Sequence, residues 1–325
     1  MHAGGELVRI VECGYPQLPQ GTVWDRYAYL KEHVDEYRRL LMEEPWGHKD
    51  MYGCVIVPPE RADSCAGLIF MHNGGYAAMG GHAVIAVATY LAATGRVPQA
   101  PDVTGVEMRF DVPAGQVIAR AEFDHDRVRN VQYESMPSFA TALAVQLSAG
   151  GRTFTVDIAF GGQFYAIVPA ASLKLRVQPG NLDLFRTWFR EIRRAVNHLG
   201  LAQHPLDPRL SGLYGVVFTD APIEGETRSR SITVFSENCV DRSPCGSCLS
   251  ARLAAMWRKG ERRIGDQLSV ESAVGSVFTG TLLGAAEAVG PYPALRTAIA
   301  GEAHVVGFRR FIRDPEDRLT PFLLH

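Results

Sequence analysis

The chemistry in this chain gathers at two places. One is Cys245, set between Pro244 and Gly246, and the other is the earlier run Gly80-Gly81-His82. Each opens a stretch of small residues that reads as a helix. A helix start presents unpaired backbone N–H groups and the positive end of the macrodipole, which makes it a seat for a carboxylate. Glycine at 80, 81 and 246 lets a ligand approach the backbone closely, because no Cβ intervenes. A cysteine in that position has its thiolate stabilised and its pKa drawn toward neutrality. Cys245 is therefore read as a nucleophile or general base.

The neighbouring residues admit more than one reading. Cys245-Gly246-Ser247-Cys248 is a C-x-x-C, compatible with a redox pair or half a zinc site. A zinc site needs a second Cys/His pair, which Cys239 and the scattered histidines do not supply. A redox motif belongs early in a small βαβ domain, whereas this one falls late in a long chain. Cys248 is read as a small helix residue facing the interior, and Cys13, Cys54, Cys65 and Cys239 mostly as buried hydrophobes. His82, in the first helical turn, either donates a hydrogen bond to a ligand or packs. Asp241, before the second helix, either caps it or holds a cationic group such as a substrate ammonium beside the thiolate.

The elements that must position these groups repeat. Residues 79–95 and 244–260, aligned at Gly81 and Gly246, each open with a turn, continue as a small-residue helix and close fourteen positions later at Gly95 and Gly260. Glycine there suits a left-handed C-cap. Both helices are apolar nearly all round, so both are expected to be buried, in two similar halves whose helix starts serve one site. Residues 24–43 read as one amphipathic helix ended by Glu44-Pro45-Trp46-Gly47. Strands are expected at 52–58, 67–72, 105–122, 127–134, 153–169, 213–219 and 231–236, a charged helix at 182–198, and short β segments through 264–311.

Composition sets the outer limits. A chain of 325 residues, 46% hydrophobic and 21% charged, has material for one or two cores. A net charge of −2 gives no electrostatic reason to expect nucleic acid or an anionic membrane as partner. No apolar run approaches the roughly 18 residues of a membrane span. Met1-His2-Ala3-Gly4-Gly5-Glu6 lacks the order of a signal peptide, so the cytoplasm is the default location and a small molecule the expected partner.

Three stretches carry a resemblance: Asp241-Arg242-Ser243-Pro244-Cys245-Gly246 with Ser250-Ala251-Arg252-Leu253-Ala254, the run Val156–Ile167, and Met79–Ala86. On them the chain resembles the proline racemase superfamily, which comprises proline racemases, hydroxyproline 2-epimerases and trans-3-hydroxy-L-proline dehydratases. Gly47–Gly53 and Met71-His72-Asn73 are most similar to the dehydratase branch. The resemblance implies an α+β, diaminopimelate-epimerase-like fold of two pseudo-symmetric α/β halves, each with strands wrapped around a central helix. The first half is residues 1–140 around helix 81–94, joined by the C-terminal segment 303–325. The second is 141–302 around helix 246–259. It further implies that Gly81 with His82 and Gly246 with Ser247 hold the substrate carboxylate, that Asp241 faces the imino nitrogen, and that neither metal nor cofactor is used. The oligomeric state is left open, a homodimer included.

The departure from the family matters more than the match. Racemases and many epimerases of this superfamily place a cysteine on each face of Cα. Cys245 is the second of these positions, whereas the first is Gly80, which has no side chain. Inversion then relies on a water in the space the side chain leaves, an unpositioned acid that forfeits part of a contribution of about 10²–10⁴. Dehydration of a 3-hydroxyproline needs only one base. It is the favoured reading, with 4-hydroxyproline 2-epimerase or proline racemase as the alternative and a catalytically silent imino-acid binder as a third. The usual dehydratase base approaches from the first position, so Cys245 selects a different diastereomer.

Overall fold

Two helices without a polar face set the architecture. The computed structural model describes residues 1–97, 104–222 and 228–324. Its helices are α1 (Val23–His33), α2 (Asp35–Met42), α3 (Gly81–Ala93), α4 (Leu182–His198) and α5 (Gly246–Arg258). In α3 every residue from Gly81 to Ala92 is buried, and in α5 all from Gly246 to Ala255 except Arg252. A helix apolar all round has to be encased, and Ala, Gly and Ser side chains let the surrounding strands come close.

Around α5 the casing is a closed barrel. Strands Ser138–Ala149, Arg152–Phe160, Phe164–Pro169, Leu213–Asp220, Ser229–Phe235, Gln267–Ser272, Val277–Val289 and Tyr292–Gly301 pair in that order. The ring shuts where Ser138 and Phe139 pair with Leu295 and Ala294. Helix α3 lies against Gly115–Asp124 and Arg127–Glu134, with Gly105–Val112, Ala66–His72 and Tyr52–Val57 continuing that sheet. One strand serves both layers. The early residues of Tyr292–Gly301 complete the barrel, while Ala298–Gly301 pair with Glu134–Val131 beside α3. The C-terminal residues return to the N-terminal layer: Ala303–His304 pairs with His2–Ala3, Phe322 bridges Glu44, and Arg9 lies 4.2 Å over the Phe311 ring.

Both central helices end alike. Gly95 and Gly260 have φ of +66° and +74°. The following N–H reaches back in each case, Arg96 to Leu91 O at 3.0 Å and Glu261 to Met256 O at 2.9 Å. This is the left-handed glycine stop expected from the sequence. Among the described residues no helix is long and apolar enough to cross a membrane.

The structure corrects the reading of several segments. The stretch 24–43 is two helices, because Val34 (φ −140°, ψ 30°) leaves the helical region and Asp35 and Glu36 begin a new first turn, where acids suit the dipole. The segment 153–169 is a hairpin, turned at Gly161-Gly162 with Gly162 at φ +96°. Strand Ser138–Ala149 went unread, and the region after 264 forms strands of 6, 13 and 10 residues rather than short pieces. Cys13 and Cys65 are exposed rather than buried.

Candidate active site

Helices α3 and α5 meet head to head. A Cβ built on Gly81 would lie 3.0 Å from the Gly246 Cα, so only glycine permits this approach. The Tyr133 hydroxyl, carried on strand Arg127–Glu134, is wedged against both glycines. The N-cap residues are Gly80 for α3 and Cys245 for α5. The junction thus brings together Gly80, Gly81, His82, Asp241, Cys245, Gly246 and Ser247.

The loop ahead of α5 is held by a relay of short hydrogen bonds. Ser243 donates to Asp241 Oδ1 from its backbone N (2.8 Å) and its hydroxyl (2.7 Å), and Ser243 Oγ accepts from Cys245 N at 3.1 Å. The Cys245 carbonyl accepts from Leu249 N at 2.9 Å and from the Cys248 thiol at 3.1 Å. Cys245 is thereby fixed at φ +60°, ψ 98°, a left-handed conformation that costs a non-glycine residue about 1–3 kcal/mol. Below the loop, Asp50 accepts from Val240 N at 3.1 Å and Arg186 at 2.8 Å, and Glu6 accepts from Arg242 N at 2.7 Å. Cys248 lies on the interior side of its helix, engaged with the Cys245 carbonyl and 3.4 Å from Thr233 Oγ1.

Hydroxyls and unpartnered polar atoms surround the sulfur. Cys245 Sγ lies 3.9 Å from both Tyr165 Oη and Ser247 Oγ, which are 2.7 Å apart. His82 packs its ring edge-on to Tyr52 at 4.4 Å and stands 3.9 Å from Asp241, too far for a hydrogen bond. Among the described residues its Nε2 has no hydrogen-bond partner, and neither do His72 Nε2, Tyr133 Oη and Glu6 Oε1. Buried polar atoms are ordinarily satisfied; Tyr133 Oη and His82 Nε2 stand at the junction itself, while Thr89 Oγ1 and Arg252 Nη1, also unpartnered, lie further along α3 and α5. The site is closed over: Cys245, His82 and Asp241 are 6%, 4% and 3% exposed.

Burial reverses the expected acidity of the thiol. The sequence predicts a Cys245 pKa drawn down by the helix start, whereas in this closed structure it is pushed well up, first by loss of water and then by Cys248 and Asp241. Magnitudes explain the outcome. A helix terminus contributes at most about 2 kcal/mol, while full burial moves a group by up to roughly 3–5 pH units, each worth about 1.4 kcal/mol. Burial likewise raises Tyr52, Tyr133 and Tyr165 and lowers His82, whose neighbour Asp241 opposes the fall. His72 is driven down to about 3, by burial and then by Arg38.

Position 80 holds a second correction. The sequence leaves space there for a water, yet a Cβ on Gly80 would meet Tyr52 Oη at 2.5 Å and the Phe70 ring at 3.0 Å. That space is already filled by protein. The family model described as proline racemase matches residues 1–322. The chain belongs to the proline racemase family. Among relatives within or beside this family, a trans-3-hydroxy-L-proline dehydratase of Bacillus cereus is 39% identical, covering 98% of this chain and 95% of that protein. A 3-hydroxyproline 2-epimerase of Burkholderia multivorans is 38% identical over the same shares. The crystal structure of a probable proline racemase from Agrobacterium radiobacter, with bound carbonate, superposes with a TM-score of 0.89 at 28% identity, covering 98% of this chain and 93% of that one.

Spacing alone did not reveal Tyr52, Tyr133, Tyr165 and His72. Tyr52 and His72 sit in the two stretches most similar to the dehydratase branch of the proline racemase family. Those stretches prove to be neighbours, with Tyr52 paired to His72 across adjacent strands. Asn73 braces the same corner by accepting from Met51 N at 2.9 Å. A tyrosine on a strand carries no mark of its target until the strand is placed, so family likeness was the one available signal.

Proposed function

We propose that this chain is a cofactor-independent enzyme that removes the α-proton of a proline-type imino acid, and that its reaction is the dehydration of a 3-hydroxyproline. The observation that carries the reading is the single thiol at the meeting point of two helix starts, opposite a glycine. In this reading the N–H groups at Gly81, His82, Gly246 and Ser247 hold the carboxylate, and Asp241 faces the ring nitrogen. The cationic nitrogen supplies what the closed protein lacks. A positive charge beside Cys245 favours the thiolate and offsets part of the burial that holds the proton on. The thiolate takes the α-proton, the electron pair forms the C2–C3 double bond, and the 3-hydroxyl takes up a proton as it departs as water, offset when the thiol returns its own proton to solvent. The resulting enamine tautomerises to an imine.

The dehydratase relative at 39% identity supports this reading, and the absence of any side chain at position 80 weighs against inversion by two thiols. We read the molecule as two pseudo-symmetric, diaminopimelate-epimerase-like halves, residues 1–140 with 303–325 and residues 141–302, acting in the cytoplasm. The matching glycine stops of α3 and α5 support that division. In deuterated water, the enzyme is expected to convert a 3-hydroxyproline to a product caught by an imine-trapping reagent, and Cys245→Ala to abolish both product and α-deuterium uptake. Deuterium uptake persisting in Cys245→Ala would remove the thiolate from the mechanism. Interconversion of hydroxyproline epimers with no imine formed would replace dehydration by epimerisation.

A further inference from the structure

Gly80 is a glycine because a phenol stands where its side chain would begin. A Cβ there would lie 2.5 Å from Tyr52 Oη and 3.0 and 3.1 Å from Cδ1 and Cγ of Phe70. Neither obstacle is a loose end. Tyr52 is 2% exposed and Phe70 fully buried. The Tyr52 ring is gripped by His82 at 4.4 Å, His72 at 5.8 Å and Phe235 at 6.2 Å. The residue comes from strand Tyr52–Val57, which belongs to the α3 layer, whereas the Cys245 thiol sits on the α5 side among Tyr165 and Ser247. Since Gly80 and Cys245 are the N-caps of two helices whose first residues touch, a side-chain group at each N-cap faces the junction from its own side.

We infer that the Tyr52 hydroxyl is the proton donor on the face opposite Cys245, that it protonates the departing 3-hydroxyl, and that the substrate is a 3-hydroxyproline with carboxylate and hydroxyl cis. This rests on the dehydratase reading and deepens it. The stereochemistry follows from placement. The α-proton points to the thiolate, so the carboxylate occupies the other side of C2. A hydroxyl that receives its proton from Tyr52 lies on the Tyr52 side of C3, which is the carboxylate's side. The elimination is then anti: Cys245 Sγ gains the α-proton, the C2–H pair becomes the C2–C3 π bond, the C3–O bond breaks, and water leaves carrying the Tyr52 proton. Thiol and phenolate are returned to their starting forms by net transfer of one proton through solvent after release. Burial holds the phenol in its protonated, donating form until the leaving group calls on it. A cis isomer is also what inversion at C2 makes from a trans-3-hydroxyproline, so an epimerisation is the class of reaction that supplies this substrate.

The test presents the four 3-hydroxyproline stereoisomers to the wild-type enzyme and to Tyr52→Phe in deuterated water. Imine formation and α-deuterium in recovered substrate are followed by NMR, with a thermal melt of each protein. A cis isomer is expected to be dehydrated fastest. Tyr52→Phe, which keeps the ring, is expected to melt with the wild type and to lose about 10²–10⁴-fold in kcat with little change in KM. It should still exchange the α-proton of the cis isomer, because the thiolate remains. A trans preference in the wild type overturns the inference without any variant. Unchanged kcat in Tyr52→Phe overturns it too, as does loss of exchange in step with dehydration. Failure of every isomer to give imine, with exchange intact, would instead refute the dehydratase reading beneath it.

Discussion

Adding one methyl group at Gly246 tests the head-to-head contact of the two helices. A Cβ there would stand against Tyr133 Oη inside the 3.0 Å that real Cβ atoms respect, with Tyr133 Cζ at 3.3 Å and Gly81 Cα at 3.4 Å. Only the hydroxyl is a clash. At Gly81 the same hydroxyl is in the way, but Tyr133 Cζ and the Gly246 Cα both lie at 3.0 Å as well. Overpacking of this kind costs about 1–3 kcal/mol. At roughly 2–4 °C per kcal/mol for chains of this order of size, either alanine lowers the melting temperature by several degrees. Both also reduce kcat/KM, since the backbone N–H groups are pushed out of register. Tyr133→Phe deletes the offending oxygen. Combined with Gly246→Ala it leaves no contact below 3.3 Å and restores most of the stability. Combined with Gly81→Ala it leaves a backbone contact at the limit and restores little. Tyr133→Phe alone removes a buried hydroxyl without a partner, whose desolvation costs about 1–3 kcal/mol, so it melts no lower than the wild type. Scanning calorimetry on the six proteins decides the matter. Equal rescue of both alanines, or no destabilisation by either, would refute the packing argument.

Two further expectations concern protons. Burial holds Cys245 and Cys239, the latter pushed up to about 12, in their thiol forms. The folded chain therefore keeps protons that the unfolded chain releases above about pH 8.5. The contribution of these thiols is level below that pH and falls above it, and peptide mapping after iodoacetamide treatment should find exposed Cys13 modified first and Cys245 last; early labelling of Cys245 at neutral pH would contradict the closed site. His72 behaves in the opposite sense. Its pKa falls from 6.5 to about 3, so the unfolded chain takes up a proton that the folded one refuses. The full contribution is present above pH 6.5 and is lost on the way to pH 3, at about 1.4 kcal/mol per pH unit and at most about 5 kcal/mol. Urea melts at pH 7, 5.5 and 4 should show His72→Asn with a shallower acid slope than the wild type, and parallel slopes would rule His72 out as the source.

How much could be read in advance depended on the range of the signal. The two buried helices, their glycine ends and the charged helix at 182–198 are local patterns, and all lay open in the sequence. So did Cys245, because a helix start and a thiol are adjacent in the chain. The break at Val34 was missed because the apolar spacing continues through it. Strand Ser138–Ala149 was missed because alternation weakens where a strand bulges, as this one does between Ala140 and Val145. The acidity of Cys245 was misjudged for a different reason. Proximity to a dipole is written in sequence, but the depth of burial that outweighs it is a property of the assembled layers. Tyr52 and Tyr133 lie further still from local inference. Each acts on glycines some thirty to more than a hundred positions away, and only the pairing of strands brings them there.

The strand Tyr292–Gly301 pairs with the barrel strand Val277–Val289 along nearly its whole length, and it also meets Ser138 and Phe139 near its start and the α3 sheet at its end. It is the spine of a book whose two covers carry the thiol and the phenol. Between the stitched ends, Thr297 accepts Ser135 N at 3.1 Å and gives its hydroxyl to Ser250 on α5 at 2.9 Å, so the spine is pinned to a page as well. The covers are also tied directly to each other, through Asp50 to Val240 and Arg186, Glu6 to Arg242, and Gln163 to the Met79 carbonyl. Opening the book around a ligand would therefore have to bend this ribbon and break those ties together.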